Sequence, residues 1–430
     1  MDFKEIESVY FLGIGGIGMS ALVRYFLFLG KKVAGYDRTE TELTQQLSNE
    51  GAHIHYADDV EAIPCFCKNP ANVLVVVTPA VPEDLSEYRF FQQQHFHMMK
   101  RAQALGEITR VHKSLCIAGT HGKTTTASMT AHLFKQSATD CNAFLGGILK
   151  NYDTNLLLSN RSDFTIVEAD EYDRSFHSLL PYMAVITSAD PDHLDIYKTE
   201  AAYYESFAHF TSLIKQDGAL VMKKSIPVAP RVSPDIPIYM YSEKEGDFHA
   251  ENICIGNGEI VFDFVTPGGK IEHIQLGVPV RINIENAVAA MALGWLNGIP
   301  ADDMRCAMAT FQGAKRRFDL RLRTEKLVLI DDYAHHPDEL RASILSVREL
   351  YAGRKLTGIF QPHLYSRTRD FVGEFAASLS LLDELVLLDI YPARETPIPG
   401  VTSEIIFDKV TIQEKTLLKK EELLQYIENK

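Results

Sequence analysis

Two glycine-rich loops, each between an apolar strand and a helix, constrain the fold of this 430-residue chain more than any other feature. The first loop is GIGGIG at residues 13–18, after the mainly apolar residues 8–12. The second is GTHGKT at residues 119–124, after the apolar residues 115–118. Such a loop turns backbone N–H groups and a helix N-terminus toward an anion. The chain is therefore predicted to bind two phosphate-containing ligands.

Strands and helices alternate around both loops. Apolar runs without alternation, such as VLVVV at residues 73–77, predict buried parallel strands. At about 150 residues per domain, the length suggests roughly three domains. We predict an α/β fold with a Rossmann-like N-terminal domain (residues 1–110), a central P-loop ATPase-like domain with a mainly parallel sheet (111–313) and a Rossmann-like C-terminal α/β domain (314–430). Residues 226–280 are predicted to be rich in β structure, and Gly218 is predicted to close a helix that begins near residue 199.

Charge and cysteine usage exclude some classes of protein. The chain has 43 Lys and Arg against 57 Asp and Glu, and its net charge of −14 disfavours nucleic acid as a ligand. Its six cysteines are scattered without a C-x-x-C pair, which favours reduced thiols and a cytoplasmic location. No signal sequence and no run of about 18 apolar residues is present, so no membrane span is predicted.

The second loop has the side chains of an ATP site. Lys123 supplies a charge for the phosphates, and the Thr124 hydroxyl suits Mg²⁺. The loop is shorter than the usual form, because Ile117 stands where the first glycine is usually found. Glu168 and His193 follow the next predicted strands of the same sheet, and ligand clefts open at such strand ends. Glu168 is predicted to ligate Mg²⁺, and His193 a second metal; the three acids after Glu168 are also explained by a solvated loop.

The first loop matches the dinucleotide fingerprint G-x-G-x-x-G at Gly13, Gly15 and Gly18, and Asp37 ends the following strand. This pattern is typical of NAD-dependent oxidoreductases. That class gives no reason for a separate ATP loop with acids at the strand ends. Because another pyrophosphate satisfies the same geometry, a UDP-sugar is the alternative ligand.

The motifs DDYAHHP and FQPHLYSRT follow predicted strands in the C-terminal third. His335 and His336 are adjacent, so they point in different directions and are a poor pair for one metal. Arg367 has the planar guanidinium that can hold a carboxylate through two hydrogen bonds. Arg316 and Arg317 lie at the predicted hinge, where domain closure would bring them to a phosphate.

Nine motifs together resemble those of the Mur ligase family, over nearly the whole chain. They are FLGIGGIGMSAL, GTHGKTTT, VEADEYDRSF, DPDHLDIY, INIENAVAA, KRRFD, DDYAHHP, FQPHLYSRT and DIYPARETPIPG. Among family members, the chain is similar to those that use ATP and Mg²⁺ to join L-alanine to the lactyl carboxylate of UDP-N-acetylmuramate, through an acyl phosphate, in peptidoglycan precursor synthesis. The recycling ligase that adds a ready-made tripeptide to the same UDP-sugar is the alternative, and GIGGIGMS and DPDHLDIY favour the alanine enzyme.

The resemblance implies a role for each group of site residues. The UDP-sugar would be bound by Gly13, Gly15, Gly16, Ile17, Gly18, Met19, Ser20, Asp37 and Thr78. ATP would be bound by Gly119, Thr120, His121, Gly122, Lys123, Thr124, Thr125, Asn283, Asn286, Arg316, Arg317 and Asp332, with the two asparagines near the adenine. The Mg²⁺ ligands would be Thr124, Glu168 and His193. The catalytic and amino-acid-binding residues would be Lys123, Tyr333, His335, His363 and Arg367.

The chain departs from the family pattern at three positions. Ile282 replaces a frequent histidine, and Leu364 replaces a frequent arginine, which leaves Arg367 as the main candidate to hold a carboxylate. Phe207 stands where sister ligases have a lysine that becomes carbamylated and ligates Mg²⁺, so no carbamylated lysine is predicted. Family members usually continue past the point where this chain ends with one more apolar strand.

The implied mechanism brings together two anions, a carboxylate and a phosphate, which requires Lys123 and Mg²⁺ to neutralise charge. His335 is the predicted base that keeps the alanine amine neutral. Closure of the C-terminal domain would exclude water from the reactive intermediate. Since one methyl group is worth only about 1–3 kcal/mol in a pocket, glycine and L-serine stay alternative amino acids.

Overall fold

The structure is a computed structural model that describes residues 3, 5–191, 194–315, 317–393 and 395–428. The chain divides into two compact units. The first comprises residues 1–251, 263–274 and 285–315, and the second comprises residues 252–262, 275–284 and 316–430. The predicted domain boundaries after residues 110 and 313 stay predictions. None of the helices in the described ranges is long and apolar enough to cross a bilayer.

A parallel sheet of five strands opens the first unit. Its strands are β1 (Ser8–Leu12), β2 (Lys32–Tyr36), β3 (His53–His55), β4 (Val73–Val77) and β5 (His97–Lys100), and its helices are α1 (Ile17–Phe28), α2 (Glu42–Asn49), α3 (Ser86–Gln93) and α4 (Arg101–Val111). The strand order is β3-β2-β1-β4-β5, with parallel pairing throughout. The order reverses between β1 and β4, and ligands of such sheets bind beyond the carboxyl ends of strands at this point. The first glycine loop lies there.

Local sequence explains how these elements begin and end. All five residues of β1 are buried, as its run of apolar side chains predicts. Helix α1 begins directly after Gly16, and Gly30 follows it in the left-handed region at φ +74°. Glycine tolerates that conformation, so it suits the end of the helix.

The middle of the first unit is a sheet of seven strands. They are β6 (Lys113–Ala118), β7 (Asn142–Leu149), β8 (Thr154–Leu157), β9 (Phe164–Ala169), β10 (Met183–Ile186), β11 (Ala219–Lys223) and β12 (Ile238–Tyr241); the helices of this part are α5 (Lys123–Gln136), α6 (Leu194–Tyr197), α7 (Glu200–Thr211), α8 (Ile282–Leu296) and α9 (Ala301–Thr310). The strand order is β12-β11-β10-β6-β9-β7-β8, with β7 and β8 antiparallel and the other pairs parallel. Strand β6 lies between β9 and β10, so the second glycine loop opens beside the ends of both.

Two segments between residues 199 and 280 can be compared with the secondary structure predicted from the sequence. Strands β13 (His249–Gly256), β14 (Glu259–Thr266) and β15 (Gly269–Gln275) form a three-stranded sheet, so the prediction of β structure in this segment is confirmed. The prediction that α7 reaches Gly218 is wrong, because the helix ends at Thr211. Tertiary contacts of Lys215 explain the early end: its backbone N–H donates to the Pro181 carbonyl at 2.8 Å, and its ammonium donates to the His112 carbonyl at 2.8 Å.

The second unit has an antiparallel hairpin and a parallel sheet. Its strands are β16 (Asp319–Arg323), β17 (Val328–Asp331), β18 (Thr357–Phe360), β19 (Glu384–Leu388) and β20 (Glu414–Leu418), and its helices are α10 (Pro337–Leu350), α11 (Tyr365–Asp370), α12 (Val372–Leu379), α13 (Glu404–Phe407) and α14 (Leu423–Glu428). Strands β18, β19 and β20 are parallel, whereas β17 pairs antiparallel with β16. The predicted succession of strand, loop and helix is present from β17 to α12.

Candidate active site

The second glycine loop connects β6 to α5 through backbone conformations that only glycine adopts easily. Gly119 has φ +143°, and a Cβ atom there would lie 2.2 Å from the Thr187 hydroxyl oxygen. Gly122 is the N-cap of α5 with φ +83°. Thr187 supports the loop from the end of β10, since its hydroxyl donates to the His121 carbonyl at 2.5 Å. The loop is therefore a rigid turn that ends at the N-terminus of a 14-residue helix.

Lys123 folds back over this loop and pairs with a buried acid. Its ammonium donates to the Gly119 carbonyl at 2.5 Å and lies 2.7 and 2.9 Å from the two carboxylate oxygens of Glu171. Glu171 is 2% exposed, and burial raises the pKa of its carboxyl, against the effect of the Lys123 charge. The alternative interpretation of this acid as part of a solvated loop is therefore wrong.

Oxygen donors that suit a metal ion lie beside Lys123. The Thr124 hydroxyl donates to Glu168 Oε1 at 2.9 Å, and the Gly146 N–H donates to Oε2 at 2.8 Å. A hydroxyl and a carboxylate are hard ligands that fit Mg²⁺. His193, the third predicted ligand, lies outside the described residues. Within those described residues, no group of three or more His, Cys, Asp or Glu side chains forms a metal site.

Other predicted ATP residues border the loop in the first unit. The Thr120 hydroxyl bonds to the Asp190 carbonyl and to Tyr203, and the His121 N–H donates to the Ser188 hydroxyl at 2.7 Å. Thr125 is half-buried in the first turn of α5. Asn286 accepts a hydrogen bond from the Thr126 hydroxyl at 3.2 Å, which fixes its side chain behind the loop. In the second unit, Asn283 donates to the Val278 carbonyl at 3.1 Å.

The first glycine loop is held by its neighbours in a different way. The N–H groups of Gly13 and Ile14 donate to the Tyr36 carbonyl at 2.8 and 3.0 Å. The Gly15 N–H donates to the Asp37 carboxylate at 2.7 Å. A Cβ atom on Gly13 would lie 2.3 Å from Thr78 Cγ2. Asp37 and Thr78 therefore lie against the loop, and Asp37 serves there as an acceptor for a loop amide. Their binding of the UDP-sugar stays a prediction.

The remaining predicted UDP-sugar residues occupy the first turn of α1. Gly16 and Ile17 are exposed, and Gly18 is half-buried. Met19 is 1% exposed. Ser20 is fully buried, and its hydroxyl donates to the Ile17 carbonyl at 2.8 Å. The Ser20 hydroxyl is thus engaged inside the helix, whereas the N-terminal residues of α1 are accessible to a ligand.

A pocket of about 380 Å³ inside the first unit extends from the first loop to Glu168, at the end of β9. Its walls include Gly16, Gly18 and Thr78 at one end and Gly146 and Glu168 at the other. Since Glu168 accepts a hydrogen bond from Thr124, this pocket ends one residue away from the second loop. The structure therefore places the pocket of the first loop next to the second loop.

Arg101 lines this pocket and was missed by sequence reasoning. It is the first residue of α4, which follows β5. The carboxyl ends of parallel strands share one edge of a sheet, so a basic residue directly after β5 reaches the same crevice as the first glycine loop. That position was the signal available in the sequence.

The predicted amino-acid site lies in the second unit, where three side chains from two motifs lie close together. The ring centroids of Tyr333 and His335 are 5.0 Å apart, and those of His335 and His363 are 6.2 Å apart. His335 Nδ1 is 2.9 Å from the Tyr333 carbonyl, which can only accept. Nδ1 therefore carries the proton, and Nε2 of the neutral imidazole is left as the basic nitrogen.

Arg367 lies in α11, two residues after Tyr365. Its Nη1 is buried and has no hydrogen-bond partner within the described part of the chain. A buried guanidinium donor without an acceptor requires an explanation, and an absent anionic ligand supplies one. Leu364, which precedes α11, has φ +72°, a strained conformation for a residue with a side chain.

Two of the predicted ATP residues of the second unit lie close to the ends of its hairpin. The Arg317 guanidinium carbon is 5.9 Å from the Tyr333 ring centroid, and Asp332 accepts a hydrogen bond from the Phe318 N–H at 3.3 Å. Arg316 lies outside the described residues. Phe207, at the position of the carbamylated lysine of sister ligases, is fully buried and packs against Phe176 at 5.2 Å.

Two glycine loops at the carboxyl ends of parallel strands, with a pocket that runs from the first loop toward the second, are the geometry with which the known families were compared. The chain belongs to the Mur ligase family. Residues 8–113 match the family model described as "Mur ligase family, catalytic domain", residues 117–294 match "Mur ligase middle domain", and residues 316–429 match "Mur ligase, glutamate ligase domain".

Curated relatives and a solved structure make the similarity more specific. A UDP-N-acetylmuramate–L-alanine ligase of Parabacteroides distasonis is 65% identical over 428 residues, which cover 99% of this chain and 93% of the relative. The enzyme of the same name from Phocaeicola vulgatus is 58% identical, with 100% and 94% covered. The crystal structure of the UDP-N-acetylmuramate–alanine ligase from Thermotoga maritima superposes with a TM-score of 0.81 at 27% identity, with 98% of this chain and 92% of that chain covered.

Proposed function

We propose that this chain is an ATP-dependent ligase that joins L-alanine to the lactyl carboxylate of UDP-N-acetylmuramate, in peptidoglycan precursor synthesis. The relatives that are 65% and 58% identical carry the name of this activity. The observation that supports the chemistry best is the single pocket lined by Gly16 and Gly18 of the first loop and by Glu168 beside the second. A reaction that consumes ATP and a UDP-sugar, together with six free cysteines, favours the cytoplasm as its location.

The first step is phosphoryl transfer from ATP to the lactyl carboxylate. The carboxylate oxygen attacks the γ-phosphorus, the bond to the β-γ bridging oxygen breaks, and ADP leaves. Lys123, at the N-terminus of α5, neutralises the phosphate charge that otherwise repels the carboxylate. The product is an acyl phosphate, whose carbonyl carbon is far more electrophilic than that of the carboxylate.

Thr124 and Glu168 are the described residues that would hold Mg²⁺. The oxygen chemistry of this pair fits the ion. When bound, Mg²⁺ supplies further positive charge at the phosphates. Glu168 is kept in place without the ion by two hydrogen bonds, one from Thr124 and one from the Gly146 N–H.

The second step is attack of the L-alanine amine on the acyl phosphate. The C–N bond forms, a tetrahedral intermediate collapses, and inorganic phosphate leaves with the electrons of the C–O bond. The amine attacks only as the neutral form, and His335 Nε2 is the nitrogen assigned to take its proton. Arg367 is assigned to the alanine carboxylate, since its buried Nη1 lacks an acceptor from the described chain.

A coupled assay with the purified protein tests the proposal. Release of phosphate is followed with ATP, Mg²⁺, UDP-N-acetylmuramate and one acceptor at a time: L-alanine, glycine, L-serine or the recycled tripeptide. We expect the fastest release with L-alanine and a product whose mass equals the sum of the two substrates minus water. Faster release with the tripeptide would identify the recycling ligase instead. Reduction or oxidation of a nicotinamide, measured by absorbance, would support an oxidoreductase.

Removal of the metal is a second arm of this assay. Stripping divalent ions with a chelator should abolish phosphate release, and added Mg²⁺ should restore it. The T124V and E168Q variants should need more Mg²⁺ for half-maximal activity than the wild type. An unchanged Mg²⁺ requirement in both variants would remove the metal from this pair.

A further inference from the structure

A pocket that holds a sugar nucleotide must compensate the two negative charges of a pyrophosphate. The first loop contains no Lys or Arg between residues 13 and 23. Its first three N–H groups already donate to the Tyr36 carbonyl and to the Asp37 carboxylate. Glu168 and Asp170 line the same pocket and add negative charge. The N-terminus of α1 alone is therefore a weak site for a dianion.

Arg101 is the one cation among the residues that line this pocket in the described structure. Its guanidinium lies against the first loop: a Cβ atom on Gly18 would be 2.9 Å from Nη1 and 3.3 Å from Cζ. Glycine at position 18 thus leaves the space through which the guanidinium approaches the N-terminus of α1.

Within the described ranges of the chain, no hydrogen bond engages the N–H groups of Arg101. Its nearest acid is Asp170, with 3.7 Å between Nη2 and Oδ2, which is longer than a hydrogen bond. The side chain of Arg101 is 26% exposed, and that of Asp170 is 44% exposed. The Asp170 charge attracts the guanidinium toward the pocket without occupying its N–H groups.

We propose that Arg101 binds the pyrophosphate of the UDP-sugar and completes the first loop as a phosphate site. The inference rests on the proposed function, because it assigns a ligand within the same substrate pocket. The planar guanidinium offers two parallel N–H donors to phosphate oxygens, which a lysine ammonium does not reproduce. Arg101 is therefore a binding residue for the first substrate, and ATP and L-alanine do not depend on it.

The test compares three uridine ligands as competitors of UDP-N-acetylmuramate in the coupled assay. Uridine has no phosphate, UDP has the pyrophosphate, and UDP-N-acetylglucosamine has the pyrophosphate and a sugar without the lactyl group. In R101A we expect the inhibition constants of both phosphate-containing ligands to rise about tenfold or more, and that of uridine to stay within twofold. The KM for UDP-N-acetylmuramate should rise in parallel, whereas those for ATP and L-alanine should not.

Two further variants control this result. R101K keeps the positive charge but loses the two parallel N–H donors of the guanidinium. Its inhibition constants should therefore lie between those of the wild type and R101A. Arg110 is on the same helix, its side chain is 59% exposed, and it pairs with Glu107 at 3.3 Å. R110A removes the same charge outside the pocket and should leave all inhibition constants unchanged.

The possible failures can be told apart. If the wild type does not join L-alanine to UDP-N-acetylmuramate, the proposed function fails first. If the wild type is active and folded R101A keeps its affinity for UDP, the assignment of Arg101 is wrong while the function stands. A loss of affinity for UDP-N-acetylmuramate without a loss for UDP would place Arg101 at the lactyl carboxylate and would also overturn the proposal. R101Q, which keeps the length of the side chain, serves if R101A does not fold.

Discussion

The two glycine loops of the first unit share a backbone pattern but differ in where their charges come from. The second loop carries its own cation, Lys123, which is paired with the buried Glu171 at 2.7 Å. The first loop has no cation and holds a carboxylate, Asp37, against its amides. Among the described residues that line its pocket, the one cation is Arg101, which lies on another helix. The same succession of strand, glycine turn and helix therefore does not determine the electrostatics of the site.

The strands that lead into the two loops differ as well. In β6 the residues 115–118 are fully buried and have no charged or hydroxyl group. In β1 the Tyr10 hydroxyl donates to the buried Glu87 carboxylate at 2.5 Å and lies 2.7 Å from His55 Nε2. The sheet behind the first loop thus contains a titratable cluster, whereas the four residues of β6 that lead into the second loop are apolar.

The largest effect is expected for the K123A variant. Loss of this charge should lower kcat by about 10³-fold or more, since the γ-phosphate loses its fixed cation. Binding of UDP-N-acetylmuramate, measured by calorimetry, should be unchanged because the first loop does not depend on Lys123. If a folded K123A variant loses both turnover and the binding of UDP-N-acetylmuramate, the assignment of separate ligands to the two loops is wrong.

A double variant separates catalysis from stability in this experiment. K123A leaves Glu171 buried without its partner, which is expected to lower the free energy of unfolding by several kcal/mol, on the order of 3–5. K123A/E171Q removes the unpaired charge and should recover most of that stability. Turnover should not recover. Recovered turnover in the double variant would show that Lys123 acts only on Glu171.

The next largest effect is expected on stability, when a glycine in each of the two loops is replaced by alanine. At Gly119, φ is +143° and a Cβ atom would clash with Thr187 at 2.2 Å, so G119A should lower the free energy of unfolding by about 3 kcal/mol. At Gly16, φ is −70° and the nearest atom to a Cβ would be 3.7 Å away, on Met19. G16A should change stability by less than about 1 kcal/mol. Denaturant unfolding measures both, and equal losses would show that the second loop is not the more constrained of the two.

The outlines of both loops could be predicted from the sequence because they depend on local chemistry. Apolar runs gave β1 and β6, and the glycines after them required special backbone conformations. The contacts that control charge were not predictable, because they join residues far apart in the chain. Lys123 and Glu171 are 48 residues apart, and Gly18 and Arg101 meet only through the sheet order.

Tertiary contacts also explain the other differences from the sequence-based expectation. Helix α7 ends at Thr211 and not near Gly218, since Lys215 is held by carbonyl groups of other segments. Strand β17 has the apolar pattern of a sheet strand, yet it forms a hairpin with β16. Hydrophobic pattern predicts that such a strand exists, but its partner depends on the rest of the fold.

The polar cluster behind the first loop should make stability depend on pH. Burial raises the pKa of the fully buried Glu87 from 4.5 to about 7. Because the folded-state pKa is the higher one, the contribution to stability is present below pH 4.5 and is lost as the pH rises through 7. From pH 5 to 8 the wild type should lose about 2.5 kcal/mol relative to E87Q, whose side chain does not titrate. Denaturant titrations at the two pH values measure this difference, and parallel pH profiles would contradict it.

A histidine on helix α5, which follows the second loop, should make the free energy of unfolding depend on pH with the opposite sign and a slightly smaller size. His132 is 1% exposed, and its ring nitrogens lie 3.0 Å from the hydroxyl groups of Tyr152 and Thr310. Burial lowers its pKa from 6.5 to about 4, so its contribution is present above pH 6.5 and is lost as the pH falls through 4. From pH 7.5 to 5 the wild type should lose about 2 kcal/mol relative to H132Q.

The two pH effects should nearly cancel in the wild type between pH 5 and 7.5, because Glu87 gains what His132 loses. E87Q should therefore lose stability as the pH falls from 7.5 to 5, and H132Q should gain stability over the same range. The double variant E87Q/H132Q should have a pH profile of stability close to that of the wild type. The comparison uses the change of stability with pH, so a constant loss from either substitution does not affect it. If E87Q and H132Q change the pH dependence of the free energy of unfolding in the same direction, Glu87 and His132 do not have the opposite effects expected here.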